Sequence, residues 1–229
     1  MNTQPHPKLR HNIPSGRTYE SLLHHYRTEK AIADRLKAAN RETRKLLYST
    51  MYDELFAAVP DHPRLTGARD SGNVERRNQG KFRLVRDYVD TSKIVVEFAP
   101  GDCAFSHFLC SHARAVYSID ISDQDRAPDA RPANYQSIVY DGYSLAWEHE
   151  KADLIFSDQF VEHLHPEDVE HHFRIARSIL KKGGVYVLRT PHAAHGPFDV
   201  SMFFSDVAQG FHLKEWTYSE LGEVVGKTG

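Results

Sequence analysis

The chain has 229 residues and a mass of 26.2 kDa, with 40% hydrophobic and 26% charged residues. That is enough apolar side chain for a real core, and it excludes a disordered, collagen-like or coiled-coil chain. No apolar run approaches the ~20 residues of a membrane span, and the start, MNTQPHPKLR, has no apolar stretch of the kind a secretion signal needs, so the expectation is a soluble cytoplasmic protein without membrane contact.

Charge is unevenly placed. Residues 1–86 carry 17 Lys+Arg and 9 Asp+Glu, a net +8, whereas residues 87–229 carry 12 and 22, a net −10. A basic half of this kind is either a solvated helical face or a nucleic-acid patch. It lacks interleaved exposed aromatics and any known binding motif, so nucleic acid is not the expected partner. Cys103 and Cys110 are too few for a disulfide framework and read as reduced core thiols.

Taken in chain order, residues 1–16 hold three prolines and a glycine and form a loose leader. Residues 17–58 are helical in pattern. Leu22, Leu23, Tyr26, Ile32, Ala33 and Leu36 recur at steps of three and four, as do Leu46, Leu47, Met51, Leu55 and Phe56, and Pro60 and Pro63 end the helix. A loop over 61–73 precedes a second helical pattern over 74–90, so residues 17–90 form an N-terminal helical cap. Short apolar runs then appear at 94–98 (IVVEF), 115–121 (AVYSIDI), 135–139 (YQSIV), 153–157 (DLIFS) and 184–190 (GVYVLRT), with helical stretches at 104–113 and 166–180. Strands alternating with helices predict an α/β domain over 91–229, a mostly parallel sheet covered on both faces.

Ligands of such sheets bind outside the carboxyl ends of the strands. The first strand ends in Glu97-Phe98-Ala99-Pro100-Gly101, where Gly101 lets the backbone turn close to a ligand. The second ends at Asp120, a carboxylate suited to the two hydroxyls of a ribose. The third is followed by Asp141-Gly142, where Asp141 can accept from an adenine amine. Neither GxxxxGK[ST] nor GxGxxG is present, so the three strand ends describe an adenosine pocket without phosphates.

In this order and spacing, VVEFAPGDCAFSHFL, VYSIDIS, YDGYSL, ADLIFSDQFVEHLHPED and ILKKGGVYVLRTPH resemble the successive motifs of class I S-adenosylmethionine-dependent methyltransferases. The resemblance covers about residues 90–225. It implies a Rossmann-like sheet with helices on both faces and S-adenosyl-L-methionine as cofactor. Glu97, Ala99 and Gly101 would line its methionine part, Asp120 its ribose, Asp141 and Gly142 its adenine, with Ser157 at the fourth strand end. The family usually has glycine where Ala99 and Cys103 stand, which predicts altered loop packing with binding retained. It also closes its sheet with an antiparallel strand pair, and the chain stops at Gly229 soon after a helix at about 217–226. The last strands are therefore expected to be missing or truncated, leaving an exposed edge.

The acidic block after the fourth strand holds the catalytic candidates Asp158, Glu162 and His163. If 159–164 begins a helical turn, Gln159, Glu162 and His163 share one face. His163 reads equally as a loop-tying polar residue, a general base or a metal ligand. His212-Leu213-Lys214-Glu215-Trp216-Thr217 is similar to a stretch of small-RNA 2'-O-methyltransferases, in which an E-x-x-E-H block and a later histidine hold magnesium. Ubiquinone-pathway O-methyltransferases have a similar block. By that resemblance Glu162, His163 and His212 are metal ligands, and Gln159 stands where a glutamate is expected. A neutral amide is the weaker ligand for a hard cation, and two imidazoles also suit other divalent metals. His192, His195 and Asp199 follow the last central strand and are either surface residues or part of the pocket mouth. Tyr19, Tyr26, Tyr48 and Tyr52 are either half-buried core or a lid. The expected activity is O-methylation of a small hydroxylated metabolite, a saccharide or polyol, by a chain that forms a homodimer. Its rivals are RNA 2'-O-methylation, small-molecule N-methylation, and cofactor binding without catalysis.

Overall fold

The computed structural model describes residues 7–66, 71–125 and 127–228. Part of the expected leader (1–6), part of the expected loop (67–70) and Gly229 lie outside the described residues. Two compact units emerge, one from residues 7–66, 162–166 and 191–222, the other from 71–125, 127–161, 167–190 and 223–228.

In the first unit, helix α1 (Tyr19–Ala38) opens on a capping box. Thr18 and Ser21 satisfy each other's backbone N–H groups there. The single helical pattern expected over 17–58 is broken at Ala39, which is extended. Asn40 then caps α2 (Arg41–Ala58) by accepting from the Thr43 N–H at 3.0 Å. Pro63, expected to end a helix, instead opens the short α3 (Pro63–Thr66), where its missing N–H has no intrahelical partner to lose.

The second unit is built on a sheet. Helix α4 (Ser71–Val85) starts earlier than the pattern from residue 74 suggested and ends in a 3-10 turn at Arg86–Tyr88. Strand β1 (Ile94–Phe98) leads through α5 (Ala104–Leu109) to β2 (Ala115–Asp120), and a loop leads on to β3 (Tyr135–Val139). The chain then returns to β4 (Ala152–Asp158), and α6 (Pro166–Ile179) runs directly into β5 (Leu180–Arg189). The strand order is β3-β2-β1-β4-β5, every pair is parallel, and the topological switch lies between β1 and β4. Among the described residues β5 is followed by α7 (Tyr218–Gly226) and no further strand.

Alternation along β1 feeds both faces of the sheet. Val95 packs with Phe105, Leu109, Val116, Leu154 and Phe156, while Ile94, Val96 and Phe98 pack with Ile119, Ile155, Ala176 and Ile179. Phe156 is fully buried against the edge of Phe105, at a ring separation of 5.3 Å. Phe156→Ala is expected to cost about 3–5 kcal/mol in urea unfolding. Gly184 in the LKKGG turn has no room for a Cβ, which would lie 2.9 Å from Leu180 Cδ2 and 3.0 Å from the Ala152 carbonyl. No helix among the described residues is long and apolar enough to cross a membrane.

His172 is an unusual member of this core. It is 3% exposed and lies edge-on to Phe98 and Phe160, and its Nδ1 has no hydrogen-bond partner among the described residues. Its Nε2 meets the Tyr186 hydroxyl at 2.8 Å. Burial, reinforced by His171, pushes its pKa from 6.5 down to about 3. The folded value lies below the unfolded one, so the neutral ring supports the fold above pH 6.5 and that support is lost as pH falls toward 3. In this window one such group costs about 1.4 kcal/mol per pH unit. Denaturation series between pH 7 and pH 4 should show a shallower loss of stability in His172→Gln than in the parent.

Candidate active site

At the end of β1 the chain makes a tight loop in which Ala99, Gly101 and Cys103 have φ of 52°, 62° and 59°. Three alternate residues therefore hold the left-handed conformation that glycine adopts freely, yet one of them is glycine. An alanine or cysteine there costs about 1–2 kcal/mol, so the packing around the loop enforces its shape. The Ala99 N–H reaches the Ile119 carbonyl at 2.9 Å, and the Cys103 side chain is buried in the core. Beneath the loop lies Glu97, 1% exposed, which accepts from the Ser106 hydroxyl and has Lys81 Nζ at 3.6 Å. Burial raises its pKa and Lys81 opposes that shift.

Asp120 ends β2, and its Oδ1 accepts from the Ile121 N–H at 2.7 Å, which sets the carboxylate at the strand mouth. Asp141 accepts from the N–H groups of Tyr143 and Ser144 at 2.8 and 2.6 Å, closing a turn through Gly142, whose φ is 82°. These residues, with Ala99 and Gly101, all lie at the carboxyl ends of β1, β2 and β3.

The end of β4 departs from expectation. The Ser157 side chain is turned inward, 1% exposed, with its hydroxyl 2.9 Å from that of Tyr186. Asp158, expected as a catalytic carboxylate, has both oxygens held by Arg189 at 2.6 and 2.8 Å, with Lys81 at 3.5 Å. Both oxygens of the carboxylate are thereby committed to a guanidinium. The expected helical turn over 159–164 shrinks to a 3-10 turn at Val161–His163. Gln159 precedes it at φ 56°, exposed, with its N–H on the Arg189 carbonyl, so it does not share a helical face with Glu162 and His163.

In the other unit, Glu162, His163 and His212 come together, with one ligating atom of each within 4.8 Å of the others. Glu162 is fully buried, and its carbonyl accepts from the Lys214 N–H, tying the two segments. His163 Nδ1 lies 2.9 Å from the Phe211 carbonyl, an acceptor only, so Nδ1 carries the proton and Nε2 the lone pair. His212 Nδ1 lies 2.7 Å from Glu215 Oε1, which assigns its proton in the same way. The rings are 5.0 Å apart and edge-to-face. Burial, with His212 nearby, pushes the His163 pKa to about 3, which makes its ring a weak proton acceptor. His212 is moved oppositely. Its burial alone would lower the pKa, but the Glu215 bond and the charges of Glu162 and Asp199 raise it above the ordinary value.

A second cluster of the same composition, His25, Glu29 and His62, was not singled out from the sequence. Its ring nitrogens are committed differently. His25 Nδ1 accepts from Arg17 Nη1 at 2.8 Å and its Nε2 donates to Glu29 at 2.8 Å, while His62 Nδ1 accepts from the Arg64 N–H at 3.1 Å. Neither histidine turns a lone pair toward the cluster. The spacing of His25 and Glu29 on α1 was the available signal, whereas His62 follows a helix break that no pattern marks. The lid tyrosines are tied down: Tyr26 donates to Gln209, Tyr48 accepts from the His165 N–H, and Tyr52 stacks edge-on to Phe211. His192 accepts from the Ala194 N–H and packs beside Tyr218, and His195 lies 6.1 Å from it ring to ring. Asp199 accepts from the N–H groups of Ser201 and Gly210 at 2.9 Å each.

Residues 96–188 match the model of a family described as a methyltransferase domain. No curated protein matches the chain. Among solved structures, phosphoethanolamine N-methyltransferase 1 of Haemonchus contortus, in complex with phosphoethanolamine and S-adenosylhomocysteine, superposes with a TM-score of 0.59 at 19% identity. That match covers 81% of this chain and 40% of the nematode protein. A S-adenosylmethionine-dependent methyltransferase from Mesorhizobium loti gives 0.51 at 18% identity, covering 65% of this chain and 80% of that one. A TehB-like S-adenosylmethionine-dependent methyltransferase from Corynebacterium glutamicum gives 0.50 at 16%, covering 70% and 84%. What these share with the present chain is the fold.

Proposed function

We propose that the chain, whose residues 96–188 match a methyltransferase-domain model, is a class I S-adenosylmethionine-dependent methyltransferase that methylates a hydroxyl of a small polar metabolite, a saccharide or polyol, with a divalent metal held by Glu162, His163 and His212. One observation carries the metal and hence the hydroxyl. Both imidazoles of the trio donate through Nδ1 to an oxygen acceptor, which leaves Nε2 of each as the ring nitrogen for an ion beside a buried carboxylate, with His212 giving up any Nε2 proton when one binds. Histidines that ligate metals are oriented in this way by the partner of the other nitrogen. The donor set, two imidazoles and a carboxylate, would suit a divalent ion by its chemistry.

When bound, S-adenosylmethionine would supply a sulfonium methyl: the acceptor O–C bond forms as the C–S bond breaks, S-adenosylhomocysteine is released and the hydroxyl proton passes to solvent. The Gly101 loop would set main chain against its methionine part, and Asp120 would accept from its ribose hydroxyls. Glu97, buried under the loop, holds Lys81 and keeps the loop's floor polar. A divalent ion at the trio would supply charge that lowers the pKa of a bound hydroxyl. The protein's own part there is to keep His163 and His212 in one tautomer and to hold Glu162 away from bulk water. The net −10 of residues 87–229 favours a neutral or cationic acceptor over an anionic one.

Methyl transfer assayed over sugars, polyols, phenols and amines should be fastest with a sugar or polyol. Transfer confined to amines would overturn the hydroxyl reading. The basic N-terminal half keeps an RNA acceptor as the second reading. RNA affinity that falls steeply between 50 and 200 mM salt would favour it, and no affinity at low salt would remove it.

A further inference from the structure

The cluster of His25, Glu29 and His62 on the N-terminal helices is connected to the proposed metal ligands by an unbroken series of hydrogen bonds. Arg17 donates to His25, which donates to Glu29 Oε2. Glu29 Oε1 accepts from the Phe211 N–H at 2.7 Å, and the carbonyl of the same Phe211 accepts from His163 Nδ1. Asp199 Oδ2 takes the N–H of Gly210 at 2.9 Å and that of His212 at 3.4 Å. Two carboxylates, the buried Glu29 and the half-buried Asp199, therefore clamp the segment 210–212 from its amide side. Gly210 is required for this: a Cβ there would lie 2.6 Å from Glu29 Oε1 and 2.8 Å from Asp199 Oδ2.

We infer that Glu29, backed by His25, is a positioning residue that fixes the main chain of Phe211 and through it the orientation and tautomer of His163, so that α1 is a working part of the metal site. The inference rests on the proposed role of Glu162, His163 and His212. It also gives the second cluster a different job from the first. With His25 bonded through both nitrogens and His62 accepting at Nδ1, the second cluster holds a peptide in place and takes no ion. A carboxylate at residue 29 was not needed for helix formation, and burying it at 6% exposure is costly unless its acceptors are used. Both are used, one by His25 and one by the Phe211 N–H.

The test uses the full chain, with Zn2+ alone titrated by calorimetry and with imidazole 15N spectra recorded without metal. In the parent, one ion should bind and His163 should show the Nδ1–H tautomer. Glu29→Ala should weaken Zn2+ binding about 10–100-fold, the range for loss of a partner behind a ligand, and should shift His163 toward the Nε2–H tautomer. S-adenosylhomocysteine affinity should stay unchanged. Glu29→Gln keeps an acceptor for the Phe211 N–H and should lose less than Glu29→Ala. His62→Gln, outside the series, should bind Zn2+ like the parent. If Glu29→Ala does not fold, His25→Ala takes its place with the same signs. A folded Glu29→Ala with parental Zn2+ affinity and the parental His163 tautomer overturns the inference. So does a second ion in the parent that disappears in His25→Ala. If the parent binds no ion, the metal reading above fails, and the His163 tautomer alone then decides whether Glu29 positions it.

Discussion

Replacing Asp120 by alanine is expected to weaken S-adenosylhomocysteine binding about 100-fold or more while the protein stays folded. A hydrogen bond to a charged group is worth about 1.5–3 kcal/mol, and each 1.4 kcal/mol is tenfold in affinity. A carboxylate at the mouth of β2 can accept from both ribose hydroxyls. The Ile121 N–H at 2.7 Å holds Asp120 in place before any ligand arrives, so little ordering is needed on binding. Asp120→Asn keeps an acceptor oxygen and should lose less. Titration calorimetry with S-adenosylhomocysteine reads both. Parental affinity in Asp120→Ala would mean that the nucleoside lies elsewhere.

The centre of the sheet was legible because β1 and β4 are buried almost throughout and bounded by turn residues. IVVEF and DLIFS were recognisable as strands without any alternating pattern, and Pro166 with two acids after it marked the start of α6. Gly101 and Asp120 were proposed from the rule that ligands gather at strand ends, and Glu97 from the family resemblance. Where Ala99 and Cys103 replaced glycine, the sequence suggested altered packing. The loop instead keeps the left-handed backbone with side chains that resist it. Less was readable where the outcome depends on one side chain. Asn40 splits a helix that periodicity runs together. Arg189 neutralises Asp158 across two adjacent strands, and Gln159 leaves the helical path by a single φ. The link from Glu29 to His163 passes through the main chain of Phe211, far along the chain, which no local pattern records.

Alanine at Glu162 or at His212 is expected to cut methyl transfer by roughly 10²–10⁴-fold, the span for loss of a group that helps activate a hydroxyl, with S-adenosylhomocysteine affinity within about threefold of the parent. The reason is a division of labour. The proposed donor site lies at the ends of β1, β2 and β3, and none of its residues belongs to the trio. Asp120→Ala should therefore raise the donor KM most, and His212→Ala should lower kcat most. Removing Glu162 also leaves two imidazoles facing a space that lacks its carboxylate, so its loss should reduce affinity for Zn2+ as well as turnover. Equal loss of donor affinity and turnover in both variants would contradict the separation.

The most direct test of the account is methyl transfer to the best sugar or polyol acceptor before and after exhaustive chelation, with magnesium, manganese or zinc then restored. Activity that vanishes on chelation and returns with at least one ion in the parent, but not in His212→Ala, is the predicted result. Undiminished transfer by the metal-stripped protein would contradict it and leave Glu162, His163 and His212 as parts of the scaffold.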